Sequence, residues 1–163
     1  MSIRRIEIWS LAACCSFLVG CVSKVDLCTL VTAQEVQALD ATVTSCKTEE
    51  RAPLKNKPNA RAKFGVWKDA NGNDVFAVAN DVAPKQALVE HLRRLVGTST
   101  RVQHVGDVGS DAAVAFDSDH MVLFEAHDRT YLIQALAPQV ADETSRDFAV
   151  VKGLVDKALA RMH

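Results

Sequence analysis

Three segments decide the fold: Ala113-Val114-Ala115-Phe116, Met121-Val122-Leu123-Phe124-Glu125 and Thr130-Tyr131-Leu132-Ile133-Gln134-Ala135-Leu136. Each is a short run rich in apolar, β-branched and aromatic side chains, and the polar stretches between them leave room only for tight turns. Three such runs in succession predict an antiparallel meander. On either side the periodicity changes from that of a strand to that of a helix. Upstream, a helix is expected from Pro84 to about Val96. Leu88, Leu92 and Leu95 recur there at helical spacing, arginines fill the last turn and Gly97 is placed to end it. Downstream, a final helix is expected over about 142–161. Asp142 and Glu143 at its start and Lys157 and Arg161 at its end complement its dipole. Phe148, Val151, Val155 and Leu159 form its buried stripe. The predicted class is therefore α+β, an antiparallel β-sheet packed against helices.

Residues 64–68 and 75–80 are two further short strands, joined as a hairpin by Asp69-Ala70-Asn71-Gly72-Asn73-Asp74. Asp69, Asn71 and Asn73 alternate as calcium ligands do. However, Asp74 stands where a calcium loop needs its glycine and Asn80 where it needs its closing glutamate, so a turn is the better reading. A short strand at 102–104 and a glycine-rich turn lead into the meander. Hairpin then helix, followed by meander then helix, hints at a duplicated unit. Residues 49–62 are charged, contain Pro53 and Pro58 and have one large apolar side chain, Leu54, which reads as a mobile loop.

Composition narrows the function classes. Acids and bases nearly balance at a net charge of −1, and no basic run suggests a nucleic-acid face or a polybasic lipid-binding patch. Beyond the first 20 residues no apolar run approaches the ~20 needed to cross a bilayer as a helix. Residues 28–163 have the length of a single soluble domain with one core.

At the N-terminus, Arg4 and Arg5 precede an apolar run over 8–19, the layout of a secretory signal over residues 1–20. The run closes on Leu18-Val19-Gly20-Cys21, which resembles a bacterial lipobox. The resemblance implies acylation of Cys21 and cleavage before it, leaving residues 21–27 as a short tether. Leu11-Ala12-Ala13-Cys14 also fits the pattern, but would leave a very short leader. Each buried methylene contributes about 0.8 kcal/mol, so two or more acyl chains hold a protein on a membrane almost permanently. Val22 after the acylated cysteine implies the outer membrane, facing the periplasm, in a cell with two membranes. In a cell with one, it implies the outer face of the cytoplasmic membrane.

With Cys14 and Cys15 in the leader and Cys21 acylated, Cys28 and Cys46 are the remaining pair and can form a disulfide in an oxidising compartment. Such a bridge would contribute about 3 kcal/mol through loop-closure entropy. The wide spacing suits a structural staple better than a redox-active dithiol. Thr32 and Glu35 match a capping box, so a helix is expected from there to about Leu39, followed by a strand over 43–47. Cys28, Leu30, Thr32, Glu35, Val36 and Cys46 together resemble the N-terminal part of small actinobacterial-type lipoproteins built around an uncharacterised domain. Residues 105–113 (Val105-Gly106-Asp107-Val108-Gly109-Ser110-Asp111-Ala112-Ala113) add a second likeness. The resemblance implies an α/β sandwich, pairing of the two cysteines and an envelope location, and implies no activity.

The common catalytic signatures are not found in this sequence. Gly106-Asp107-Val108-Gly109 precedes a strand and is followed by no lysine, so it reads as a turn and not a phosphate loop. His120 and His127 bracket one strand, on the order of 20 Å apart, and cannot share a metal. His104, Asp107 and His127, with Asp111 and Asp128, fall at one end of the predicted sheet. They could bind a cation or move a proton, although turn residues there are expected to be polar in any case. Trp67 reads as a core or edge residue. The expected role is that of a non-enzymatic binding or scaffold lipoprotein with no cofactor. It would meet the membrane through its lipid and an envelope protein or apolar ligand through a sheet face or loop. The alternative is a metal-dependent or acid–base hydrolase using His104, Asp107 and His127.

Overall fold

A computed structural model describes residues 25–52, 61–117 and 120–163. The expected leader, Cys21 and the greater part of the expected 49–62 loop lie outside the described residues. In chain order the elements are α1 (Leu27–Leu30), α2 (Ala33–Val36), β1 (Cys46–Arg51), β2 (Ala62–Lys68), β3 (Asp74–Val82), α3 (Leu88–Val96), β4 (Arg101–His104), β5 (Asp111–Asp117), β6 (His120–His127), β7 (Tyr131–Leu136) and α4 (Arg146–Ala160). The seven strands form one sheet in the order β1-β2-β3-β7-β6-β5-β4, antiparallel throughout. The class is α+β.

The meander forms as expected from β5 to β7. Hairpin and meander, each followed by a helix, are joined into one continuous sheet by the pairing of β3 with β7. The helices divide between its faces. On the first face, α1 and α4 pack over Trp67, Phe76, Phe116, Phe124, Ile133 and Ala135. On the second, α3 packs over Ala113, Ala115, Leu123 and Leu132. Strands covered on both sides need apolar residues at consecutive positions, which explains the unbroken run Val75–Ala79 in β3.

Several boundaries differ from expectation, each for a local reason. The strand expected at 43–47 is β1, Cys46–Arg51, so residues 49–51 pair with β2 instead of opening a loop. An unexpected helical turn, α1, precedes α2 and is capped by Asp26, whose carboxylate accepts from the Cys28 N–H. The capping box at Thr32 and Glu35 is present, though regular helix ends at Val36. α3 begins at Leu88, not Pro84. α4 begins at Arg146, with the Ser145 hydroxyl accepting from the Phe148 N–H, while Asp142 makes a turn with Thr144 upstream. His120 and His127 are the end residues of β6 and do not lie in the flanking turns.

The N-terminal segment is fastened to the first face at three points. Cys28 and Cys46 are joined by a disulfide, with Cα atoms 5.6 Å apart, tying α1 to β1. α1 lies so close to β2 at Gly65 that a Cβ there would come within 3.0 Å of the Leu27 backbone. Arg161, just past α4, donates to Glu35 at 2.7 and 2.8 Å and to the Leu30 carbonyl at 2.9 Å.

Candidate functional site

The side chains with unusual chemistry gather on the second face, at and beside α3. Register explains why. Ala113, Glu125, Gln134 and Ala79 are cross-strand neighbours in one row of that face, and Asp111, His127, Leu132 and Asp81 form the next. α3 lies over the first row and brings His91 to it. The N–H of Leu88 at its start donates 2.8 Å to Asp111 Oδ2, so a strand residue supplies the cap that the helix's own N-terminal residue, Ala87, lacks.

Glu125 is fully buried, the one charged side chain so placed among the described residues. Its Oε1 accepts 2.7 Å from Gln134 Nε2 and lies 3.7 Å from His91 Nε2, while its Oε2 has no hydrogen-bond partner. Burial pushes its carboxyl up to about 7, against the Gln134 hydrogen bond, which favours the charged form; the like charge of Asp81 pushes the same way as burial. Gln86 Nε2 lies 3.1 Å from His91 Nδ1. A neutral imidazole with its proton on Nε2 satisfies that contact and turns an N–H toward Glu125. This pair can hold or release a proton beneath a helix.

The residues singled out from the sequence are only partly brought together. His104 Nε2 and His127 Nε2 approach Asp111, at 3.6 and 3.9 Å from its two carboxylate oxygens. Asp107 stands apart. Its side chain is 98% exposed and lies 3.8 Å from Lys152 on α4. The glycine-rich turn is nonetheless tightly placed. Gly109 has φ +55° and a Cβ there would meet the His127 carbonyl at 2.5 Å, so the turn admits no side chain at this point. Asp128 holds its own turn through the Thr130 and Tyr131 N–H groups and pairs with His163 at 2.6 Å. Among the described residues no three His, Cys, Asp or Glu side chains are arranged to hold a metal ion.

Elsewhere the tested alternatives resolve into structure. Asp69 accepts from the Asn71 and Asn73 backbone N–H groups and from the Asn73 side chain, which makes the calcium-like stretch a turn. Trp67 is a fully buried core residue against Phe76. Beneath α4, Phe148 lies 6.1 and 5.8 Å from the rings of Phe116 and Phe124, so aromatic side chains occupy the space between sheet and helix. An open cleft of about 280 Å³ lies at the first-face end of the sheet, lined by Leu39, Asp40, Asp69, Val75, Val140 and Asp147. No helix among the described residues is long and apolar enough to cross a membrane.

Sequence reading missed Glu125 and His91 as a pair. The signal was present in both. Glu125 interrupts a strand that is otherwise apolar on both faces, and His91 lies one turn from Leu88 on the stripe that α3 buries. No protein-family model, curated protein or solved structure matches this chain.

Proposed function

We propose that this chain is an exported envelope lipoprotein, held on a membrane through lipid at Cys21, whose domain acts as a non-enzymatic scaffold or binding module at the membrane surface. The observation that carries the reading is the Cys28–Cys46 bridge, since disulfides form and persist in oxidising compartments outside the cytoplasm. Six residues, Val22 to Leu27, would separate the acylated sulfur from that staple, a reach of at most ~20 Å when extended. The domain would then work close to the bilayer. The aromatic filling beneath α4 favours a partner held at the surface over an apolar ligand carried inside. Export and anchoring are tested by expressing the full chain in a bacterial host fed an alkyne-tagged palmitate and fractionating the cells. Wild type should label and sediment with membranes, and Cys21→Ser should do neither. Unlabelled wild type in the cytosol with free Cys28 and Cys46 thiols would overturn the reading. The scaffold role would fall if crosslinking in cells captured no envelope protein.

A further inference from the structure

A buried carboxyl with one oxygen unpartnered is an unstable arrangement for a charge and a tolerable one for a neutral acid. Glu125 is in that position, directly under α3, with Oε2 lacking any partner and Gln134 serving only Oε1. The groups facing it from the surrounding elements make ionisation harder to accommodate. β3 presents Asp81, whose charge has the same sign. β5 presents Asp111 in the next row, already engaged as the cap of α3 and approached by His104 of β4 and His127 of β6. β7 contributes the uncharged Gln134. α3 contributes His91, which carries a compensating charge only when protonated. The helix's other charged residues, Glu90, Arg93 and Arg94, are exposed to solvent.

The apolar hold of α3 on the sheet is otherwise short. Leu88, Leu92 and Val96 meet Ala113 and Ala115 on β5, Leu123 on β6 and Leu132 on β7, and α3 is nine residues long. From this geometry we infer that α3 is a proton-latched cover: it stays docked while Glu125 is protonated, and lifts from β5 and β6 when Glu125 ionises without a charged His91 beside it. Lifting gives water access to the carboxylate and uncovers the apolar strip of Ala113, Ala115, Leu123 and Leu132. The inference rests on the described residues alone and stands whether or not the chain is lipid-anchored.

Amide hydrogen exchange of the wild-type domain, corrected for intrinsic rates, tests this between pH 5 and pH 8.5. Protection over residues 88–96 should lie well below that of α4 throughout and fall by about tenfold or more as pH rises. In Glu125→Gln, which keeps the shape and removes the charge, α3 protection should be independent of pH. The inference is overturned if wild-type α3 protection does not change with pH, or if α3 and α4 show the same protection at every pH, which would mean that α3 opens only with the whole fold. Because the wild-type profile is decisive alone, failure of Glu125→Gln to fold would not shelter the idea.

Discussion

On the first face of the sheet α4 sets Phe148 against Phe116 and Phe124, and Arg161 beyond it clamps α1 and α2 through Leu30 and Glu35. On the second face α3 lays Leu88, Leu92 and Val96 over Ala113 and Ala115, beside a carboxyl, an imidazole and an amide. Both helices cover strands of one sheet, but α4 lies on a ring cluster and a disulfide secures the first side, whereas α3 lies on alanines and leucines beside titratable groups on the second. If α3 is a proton-latched cover, the contrast separates two tasks, one face holding the fold together and the other answering to pH.

The sharpest way to break that comparison is to remove matched apolar groups from each side. Phe124→Ala should lower global stability by about 3–5 kcal/mol in urea unfolding followed by circular dichroism, because it removes one of the two strand rings that Phe148 packs against. Leu92→Ala should act chiefly on α3 and move the global midpoint much less. Equal losses would mean that the two faces share one cooperative core.

The next largest effect should come from Glu125, and its sign follows from linkage. A carboxyl raised from 4.5 to about 7 by folding holds its proton longer in the native state. Stability should therefore be greatest below about pH 4.5 as far as this group is concerned, and should decline as pH rises to about 7. The total is up to about 3 kcal/mol, since each pK unit corresponds to about 1.4 kcal/mol. Glu125→Gln should remove this decline from the urea-unfolding free energy measured across pH 4.5–8. A decline of equal size in the variant would place its cause elsewhere.

How legible each face was in the sequence follows the same division. The meander, the hairpin and the stripe of α4 were readable because their apolar residues repeat at strand or helix spacing, and that periodicity directly reflects burial. Boundaries were not, because a cap can come from far along the chain. Leu88 starts α3 with a hydrogen bond from its N–H to Asp111, 23 residues away, which no local pattern around Pro84 encodes. The seam of the sheet was also hidden, since pairing of β3 with β7 joins segments separated by α3 and the next three strands. At the site, turn composition drew His104, Asp107 and His127 together, but turns place backbone better than they aim side chains. Asp107 faces solvent, and Asp111 takes its place between the histidines. Glu125 went unread because its partner His91 lies on another element, and only docking brings the two within 3.7 Å.

The smallest predicted effect runs opposite in pH to that of Glu125. On the first face, the Arg161 guanidinium holds the Glu35 carboxyl well below the usual carboxylate range, aided by the Thr32 backbone N–H and Lys157 and opposed by burial. A depressed carboxyl contributes stability that is present above its unfolded value of 4.5 and is lost as pH falls toward its folded value. Arg161 and Lys157 are partly exposed, so solvent screening should reduce the contribution to about 1 kcal/mol. Glu35→Gln isolates the charge, because glutamine at this position can still complete the capping box with Thr32 and Arg161 keeps its bond to the Leu30 carbonyl. The variant should therefore lose about 1 kcal/mol in urea unfolding at pH 6, and little or nothing at pH 3. With Glu125 eroding stability on the alkaline side and Glu35 on the acid side, the wild-type profile should pass through a maximum near pH 4.5–5. Glu35→Gln should flatten its acid limb and leave the alkaline one intact. A change on the alkaline limb instead would show that the two faces are coupled through the sheet and that their division of labour is not real.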